Sequence, residues 1–317
     1  MVTGARVLIT SRVVEQRPVA LARLVERGCR LIENPDGSRV GRSTLGRLLE
    51  SADALLVGTQ SIDAAMLAQT PALRVIVKAG TGVDNIDLDA AAMRGIRVAA
   101  TAGANAEAVA DYTFGLLLAA ARRITDADRS VREGRWERFT GADVHQKTLG
   151  IVGLGNVGRA VARRAAGFEM RILAVDVQYD DAFLQEYRVD PVDLDRLLSE
   201  SDFVSLHIPF IPLGGHLLNR ERITRMKHGS ILVNTARGGL VDEAALYEAL
   251  CDGRLAAAAL DVFEQEPPRD TPLRTLLNVV LSPHNASYTA ESMNHVADTA
   301  VEMLLALLED TQEDKAG

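Results

Sequence analysis

Residues 148–159 read Thr148-Leu149-Gly150-Ile151-Val152-Gly153-Leu154-Gly155-Asn156-Val157-Gly158-Arg159, and this stretch decides the fold. Leu149 to Val152 is a short run ending at a glycine, the pattern of a strand buried on both faces, and a helical pattern opens at once behind it. Three glycines spaced G-x-G-x-x-G at such a turn permit a tight bend, close approach of a pyrophosphate to the backbone and close helix packing. The helix N-terminus then presents N–H groups and a positive dipole end. With 25 glycines in 317 residues, the spacing alone arises by chance about 0.15 times in such a chain, so the strand and helix around it carry the assignment. The next strand candidate, Met170 to Val175, ends at Asp176, 18 residues after Gly158, where a carboxylate accepts ribose hydroxyls. A 2'-phosphate within about 4 Å would be repelled by roughly 4 kcal/mol at an effective dielectric of 20. Val175 to Asp181 contains no lysine or arginine to offset this, so NAD is expected rather than NADP.

Further strand candidates follow at Phe203 to His207, Ser230 to Asn234, Ala256 to Leu260 and Val279 to Leu281. Upstream, apolar runs at Arg6 to Thr10, Arg30 to Glu33, Ala54 to Val57, Leu73 to Val77 and Ile96 to Ala99 alternate with helical patterns such as Pro18 to Arg27 and Ser43 to Ser51. Two βαβα rhythms imply an α/β chain of two doubly wound, parallel-sheet, Rossmann-like domains. Between them, Ala104 to Arg123 reads as a long, largely buried helix. The closing helical pattern, Ala290 to Glu309, is expected to return to the first unit and make it discontinuous. The expected division is therefore residues 1–99 with 286–317, a substrate-binding domain, and residues 100–285, an NAD-binding domain.

Composition narrows the function. The chain has 43 acidic and 35 basic side chains, a net charge of -8, so a nonspecific grip on nucleic acid or on an anionic membrane has no electrostatic support. No apolar stretch approaches the ~18 residues of a membrane span, and Val7 to Ile9 is too short for a signal peptide's apolar region. Cys29 and Cys251 are far apart, which fits a reducing, cytoplasmic setting and two inert core thiols. No metal site is expected, and a small molecule is the expected partner.

Three strand ends gather the reactive residue types: Asn234 to Gly238, Asp261 to Glu266 and Ser282 to His284. Strand ends are where such sheets hold ligands. Through VKAGTGVDNIDL (77–88), TLGIVGLGNVGR (148–159), VNTARGGLVDEAAL (233–246), ALDVFEQEPP (259–268) and SPHNAS (282–287), the chain resembles the D-isomer-specific 2-hydroxyacid dehydrogenases over nearly its whole length. The resemblance implies an arginine, a glutamate and a histidine as the catalytic set, here Arg237, Glu266 and His284. The chemistry asks for the same types: reducing a 2-oxo acid needs a hydride, a proton and a grip on a carboxylate. NADH brings the hydride, a histidine the proton, a glutamate its orientation and charge, and an arginine a planar fork for the carboxylate.

The resemblance also implies a cofactor site of Gly153, Gly155, Asn156, Val157, Gly158 and Asp176, with Thr235 and Ala236 on the nicotinamide side and Asp261 at its carboxamide. His207, Ile208 and Pro209 are expected to wall that pocket. His207 competes with His284 as proton donor, but no acidic residue stands near it in sequence. His145, His216, His228 and His295 read as surface or packing residues. The loop Lys78, Ala79, Gly80, Thr81, Gly82 is expected to hold the substrate, with the Thr81 and Gly82 N–H groups on its carboxylate.

Within the family the core most resembles the 3-phosphoglycerate dehydrogenases, but Gly58 stands where those usually place an arginine and Lys78 replaces a second basic position, so one phosphate clamp is missing. The chain ends soon after its last long helix, so no regulatory domain or serine feedback site is expected. Hydroxypyruvate, glyoxylate or another short 2-oxo acid is the alternative substrate, and an NAD(H)-binding transcriptional corepressor the alternative class. A homodimer is expected from the relatives.

Overall fold

The structure, a computed structural model, describes residues 4–210 and 214–313. The chain divides into two compact units, Met1–Asn105 with Tyr288–Gly317, and Ala106–Ser287. The first unit is built on a five-stranded parallel sheet of β1 (Arg6–Ile9), β2 (Arg30–Leu31), β3 (Ala54–Val57), β4 (Val75–Lys78) and β5 (Arg97–Ala100), in the order β2-β1-β3-β4-β5. Its inner strands are largely apolar because both faces are covered, whereas the edge strand β2 is exposed and β5 half-buried. Val7, Leu56, Val75 and Val77 pack on Leu24, Ala297, Leu304 and Leu308, whereas Leu8, Leu55, Val57 and Ile76 pack on Leu45, Leu49, Met66 and Leu67. Three of the first group lie on Ala290–Glu313, where apolar residues recur every three or four positions. Thr101 to Asn105 belong to this unit through Gly80 N–H on Thr101 Oγ1 at 2.8 Å and Thr81 Oγ1 on Asn105 Oδ1 at 3.1 Å.

The second unit holds a seven-stranded parallel sheet: β6 (Thr148–Val152), β7 (Arg171–Val175), β8 (Val189–Pro191), β9 (Phe203–Leu206), β10 (Ser230–Asn234), β11 (Leu255–Leu260) and β12 (Val279–Leu281), in the order β12-β11-β10-β9-β6-β7-β8. One face packs on Ala106–Arg122 and Asn156–Gly167, the other on Leu194–Glu200, Arg220–Arg225 and Glu243–Cys251. Register is what builds a site here. Val175 pairs with Val152, Val152 with Leu206, Leu206 with Asn234, Asn234 with Leu260, and Leu260 with Leu281. The strands therefore end level, and the next residues, Asp176, Gly153, His207, Thr235, Asp261 and Ser282, form one row along the carboxyl edge.

Three readings change. The strand β8 has no counterpart in the sequence reading, because three residues ending in a proline give no periodic signal and suit only a sheet edge. The fourth strand begins two residues later than expected, which makes Lys78 its last member. Cys29 is buried, but Cys251 is exposed, at the end of the helix Glu243–Cys251.

The glycines of the motif divide by role. A Cβ on Gly158 would lie 1.9 Å from the Gly153 carbonyl oxygen, so the helix touches the strand only because the side chain is absent. A Cβ on Gly155 meets nothing within 4 Å. Gly158→Ala is therefore expected to cost about 1–3 kcal/mol by overpacking and to lower Tm by several degrees, while Gly155→Ala leaves Tm unchanged. Calorimetry on the two variants checks this, and equal melting points would refute the division.

Candidate active site

Along the carboxyl edge, Gly153 adopts φ +96, and a Cβ there would meet the His207 carbonyl oxygen and Ile208 Cγ2 at 2.6 Å. The glycine turn thus lies directly against His207 and Ile208. Gly155 caps the helix Asn156–Gly167 without any side-chain hydrogen bond, which leaves the helix-terminal N–H groups beside open space. That cradle fits a pyrophosphate. Asp176 faces the same turn: Oδ2 accepts from Leu154 N–H at 2.5 Å, and Oδ1 from Val177 N–H at 2.6 Å and Gln178 N–H at 3.2 Å. The carboxylate is held rigid before any ribose arrives. Arg159 completes the clamp, with Nε donating to the Leu154 carbonyl at 3.1 Å and Nη1 to Asp180 at 3.0 Å. Sequence reasoning missed this arginine because it lies outside the stretch around Asp176. Val177 beside it is wholly exposed, and Pro209 is exposed too.

At the other end of the row, Asn234 shapes the turn that carries Arg237. Its Nδ2 donates to the Arg237 carbonyl at 2.9 Å and its Oδ1 accepts from Ala236 N–H at 3.0 Å, while Arg237 Nη1 donates to the Ala236 carbonyl at 2.7 Å. Gly238 seats this turn against the next one, since a Cβ there would fall 1.8 Å from the Phe263 carbonyl carbon. Glu266 follows on that second turn, ahead of a cis bond to Pro267. Its Oε1 accepts from Phe263 N–H at 3.3 Å and its Oε2 lies 2.8 Å from His284 Nδ1. Burial pushes the Glu266 carboxyl up, but the His284 hydrogen bond and charge, Phe263 N–H and the Arg237 charge outweigh it and hold it below the ordinary carboxylate value. With Nδ1 engaged, His284 offers Nε2 as its working nitrogen.

His284 sits at φ +52, a left-handed backbone that costs a non-glycine residue energy. Asp261 holds it there. The Asp261 carbonyl accepts from His284 N–H at 2.8 Å, and its enclosed carboxylate accepts from Ser282 Oγ at 2.6 Å, Asn285 N–H at 2.8 Å and Ala286 N–H at 2.9 Å. Thr235 is tied below the edge, its Oγ1 2.8 Å from Thr113 Oγ1 on the helix Ala106–Arg122. No sequence motif signals Thr113. His207 is a different kind of histidine: desolvation pushes it down to about 3, and its Nε2 lies 2.8 Å from Ser205 Oγ, so it is neutral near pH 7. It suits a pocket wall and not a proton donor.

In the first unit, Lys78 is buried and its Nζ donates to the Gly58 carbonyl, which also accepts from Asn85 Nδ2 at 3.2 Å. Gly80 takes φ +143 at the bend. Among the described residues the N–H groups of Thr81 and Gly82 have no partner, which leaves two donors at this strand end. A Cβ on Gly58 would sit 3.2 Å from Thr10 O and Ser11 Cα, a close contact that a side chain meets only if this backbone gives by a few tenths of an ångström. Arg74 precedes the start of β4, the opposite edge, and donates to Thr311 Oγ1 at 3.2 Å. No group of three or more His, Cys, Asp or Glu able to hold a metal ion occurs among the described residues. No helix there is long and apolar enough to cross a membrane.

Known proteins resemble this chain in sequence and in fold. Residues 114–286 match the family described as D-isomer specific 2-hydroxyacid dehydrogenase, NAD binding domain. The glyoxylate reductase of Korarchaeum cryptofilum is 48% identical over 81% of this chain and 80% of its own length. The D-3-phosphoglycerate dehydrogenase of Mycobacterium bovis is 41% identical over 95% of this chain, which spans only 56% of that protein. D-lactate dehydrogenase from Aquifex aeolicus, solved with NAD and lactic acid, is 29% identical and superposes with a TM-score of 0.84 over 97% of this chain and 96% of that one.

The depressed His207 has a consequence for stability. A histidine whose folded pKa lies below its unfolded value of 6.5 leaves the fold at full stability above pH 6.5 and weakens it as the pH falls toward 3. His207→Gln is expected to narrow the gap in Tm between pH 7.5 and pH 5, as followed by circular dichroism. An unchanged gap would show that the ring is solvated.

Proposed function

Because this chain belongs to the D-isomer specific 2-hydroxyacid dehydrogenase family, and is thereby an NAD-dependent oxidoreductase of 2-hydroxy and 2-oxo acids, we propose that it reduces short, unphosphorylated 2-oxo acids such as glyoxylate and hydroxypyruvate. The observation that carries the catalytic assignment is the 2.8 Å pair of His284 Nδ1 and Glu266 Oε2 beside the Arg237 turn. The dinucleotide supplies the hydride when bound. Arg237 grips the substrate carboxylate with its planar fork and polarises the C2 carbonyl. His284 gives its Nε2 proton to the developing alkoxide, or takes it in the oxidative direction. Glu266, held ionised by its surroundings, turns the ring through its 2.8 Å contact with Nδ1.

In this reading Gly153, Gly155, Asn156, Val157, Gly158 and Asp176 hold the dinucleotide, Thr235 and Ala236 face its nicotinamide half, and His207, Ile208 and Pro209 wall its pocket. The second unit is the NAD-binding domain and the first the substrate-binding domain, whose loop Lys78, Ala79, Gly80, Thr81, Gly82 offers two unpaired N–H groups to a carboxylate. Lys78 spends at least one donor on Gly58, and Gly58 brings no side chain of its own to a phosphate. Both support small substrates over phosphorylated ones. Lys78, a buried cation at that edge, favours 3-phosphoglycerate as the second reading. Asp261 is occupied by its own loop, which assigns it a supporting role. The protein acts in the cytoplasm, in keeping with two free cysteines, and as a homodimer, in keeping with exposed Ile124, Val131, Trp136 and Leu277 on the second unit.

Steady-state assays with glyoxylate, hydroxypyruvate and 3-phosphohydroxypyruvate are expected to give the higher kcat/KM for the first two, and for NADH over NADPH. A preference for the phosphorylated acid would replace the first reading by the second, and a preference for NADPH would remove Asp176 from the ribose. His284→Ala should lower kcat by about 10²–10⁴, the usual worth of a placed acid–base group, with the dissociation constant for NADH little changed. Arg237→Lys should lose most activity despite its charge, since an ammonium cannot make two parallel hydrogen bonds. Full activity in either variant would reassign the role.

A further inference from the structure

One hydroxyl behind the loop Lys78 to Gly82 holds both polar groups of Gly80. Thr101 is the first residue after β5, level with Ala79 because Ala100 pairs with Lys78, and its own N–H donates to the Lys78 carbonyl at 3.1 Å. It is buried. Its Oγ1 accepts from Gly80 N–H at 2.8 Å and donates its proton to the Gly80 carbonyl oxygen at 3.4 Å. No other hydrogen bond reaches Gly80 among the described residues. A peptide unit is flat, and in its trans form the N–H points opposite to the C=O. The one cis bond among the described residues is Glu266–Pro267, so the Gly80–Thr81 peptide is trans. With the Gly80 carbonyl turned to the buried Thr101, the Thr81 N–H points away from it, on a residue that is exposed. The Thr81 hydroxyl donates to Asn105 Oδ1 at 3.1 Å, so what Thr81 has left to offer is that N–H.

We propose that Thr101 is a positioning residue: its hydroxyl fixes the plane of the Gly80–Thr81 peptide and so decides where the Thr81 N–H points. This rests on the reading above that the loop receives the substrate carboxylate. Thr101 touches neither substrate nor cofactor in this role. A carbonyl that accepts a hydrogen bond also polarises its own peptide, which strengthens the N–H on the other side as a donor. Because the carboxylate is common to glyoxylate and hydroxypyruvate, Thr101 sets how tightly both are held and not which of them is preferred. Hydride and proton transfer belong to residues of the second unit and keep their rate.

Thr101→Val removes the hydroxyl at nearly constant volume. The KM for glyoxylate and for hydroxypyruvate, and the inhibition constant of oxamate, a carboxylate that is not reduced, are expected to rise together by about three- to tenfold, part of what a hydrogen bond to a charged group is worth. The kcat and the dissociation constant for NADH should stay near wild type, and Thr101→Ser should restore tight binding. Thr101→Ala carries the same expectation as the valine variant and replaces it if a methyl against the Gly80 N–H lowers Tm too far. Wild-type KM and oxamate inhibition without the hydroxyl, a kcat that falls in step with Tm, or a serine variant that restores nothing overturns the proposal. Thr81→Pro deletes the N–H itself. If that protein also keeps wild-type KM and oxamate inhibition, the carboxylate binds elsewhere, and it is the reading of the loop that falls.

Discussion

A carboxylate shut away from water organises the catalytic end of the second unit. Desolvating an ionised Asp261 without partners would cost several kcal/mol (order of magnitude), and the loop after β12 supplies the partners: a serine hydroxyl and two backbone N–H groups. The arrangement satisfies both sides. The charge is solvated by the loop, and the loop is forced into a conformation that includes a histidine in the left-handed region. His284 meets Glu266 because its backbone has no other place to go. The chemistry at the imidazole thus depends on a residue that need not touch substrate.

The same economy runs through the rest of the edge. Level strand ends turn six separate positions into one row, and each position is then fixed by a local device. Asp176 accepts from the Leu154 N–H, and Arg159 donates to the Leu154 carbonyl. Asn234 closes the Arg237 turn, and Gly238 lets that turn rest on the one carrying Glu266. Placement of this kind matters because a misplaced proton donor or clamp loses rate steeply with distance. Arg237 is half exposed and Glu266 and His284 are exposed, whereas Asn234 and Asp261, which fix their turns, are buried.

Much of this was legible in the sequence for a physical reason. Buried parallel strands must be apolar on both faces, so short apolar runs marked ten or more of them, and the G-x-G-x-x-G turn fixed where the ligand edge lies. The triad was legible because its residue types stand at strand ends and lie in motifs of a known family. What escaped depends on contacts between distant segments. Thr113 lies 122 positions from Thr235 and looks like any small residue of a buried helix. The β8 edge strand is too short to show a period. The two readings of His207 were separated by desolvation and by Ser205, neither of which a sequence displays. Cysteine number and spacing suggest two core thiols, but they carry no information on which way the end of the helix Glu243–Cys251 faces, and Cys251 is exposed there.

The discontinuous first unit has a consequence for biosynthesis. Its sheet is complete once residue 105 has been made, yet one of its two faces is closed by Ala297, Ala300, Val301, Leu304 and Leu308 from the other end of the chain. At ~5–20 residues per second, translation of residues 106–287 takes roughly ten to forty seconds. Through that interval Val7, Leu56, Val75 and Val77 stand on an open apolar surface while the contiguous second unit has everything it needs to fold. The nascent chain therefore passes through a state with one finished half and one half waiting, and that waiting face is what a ribosome-associated chaperone would find.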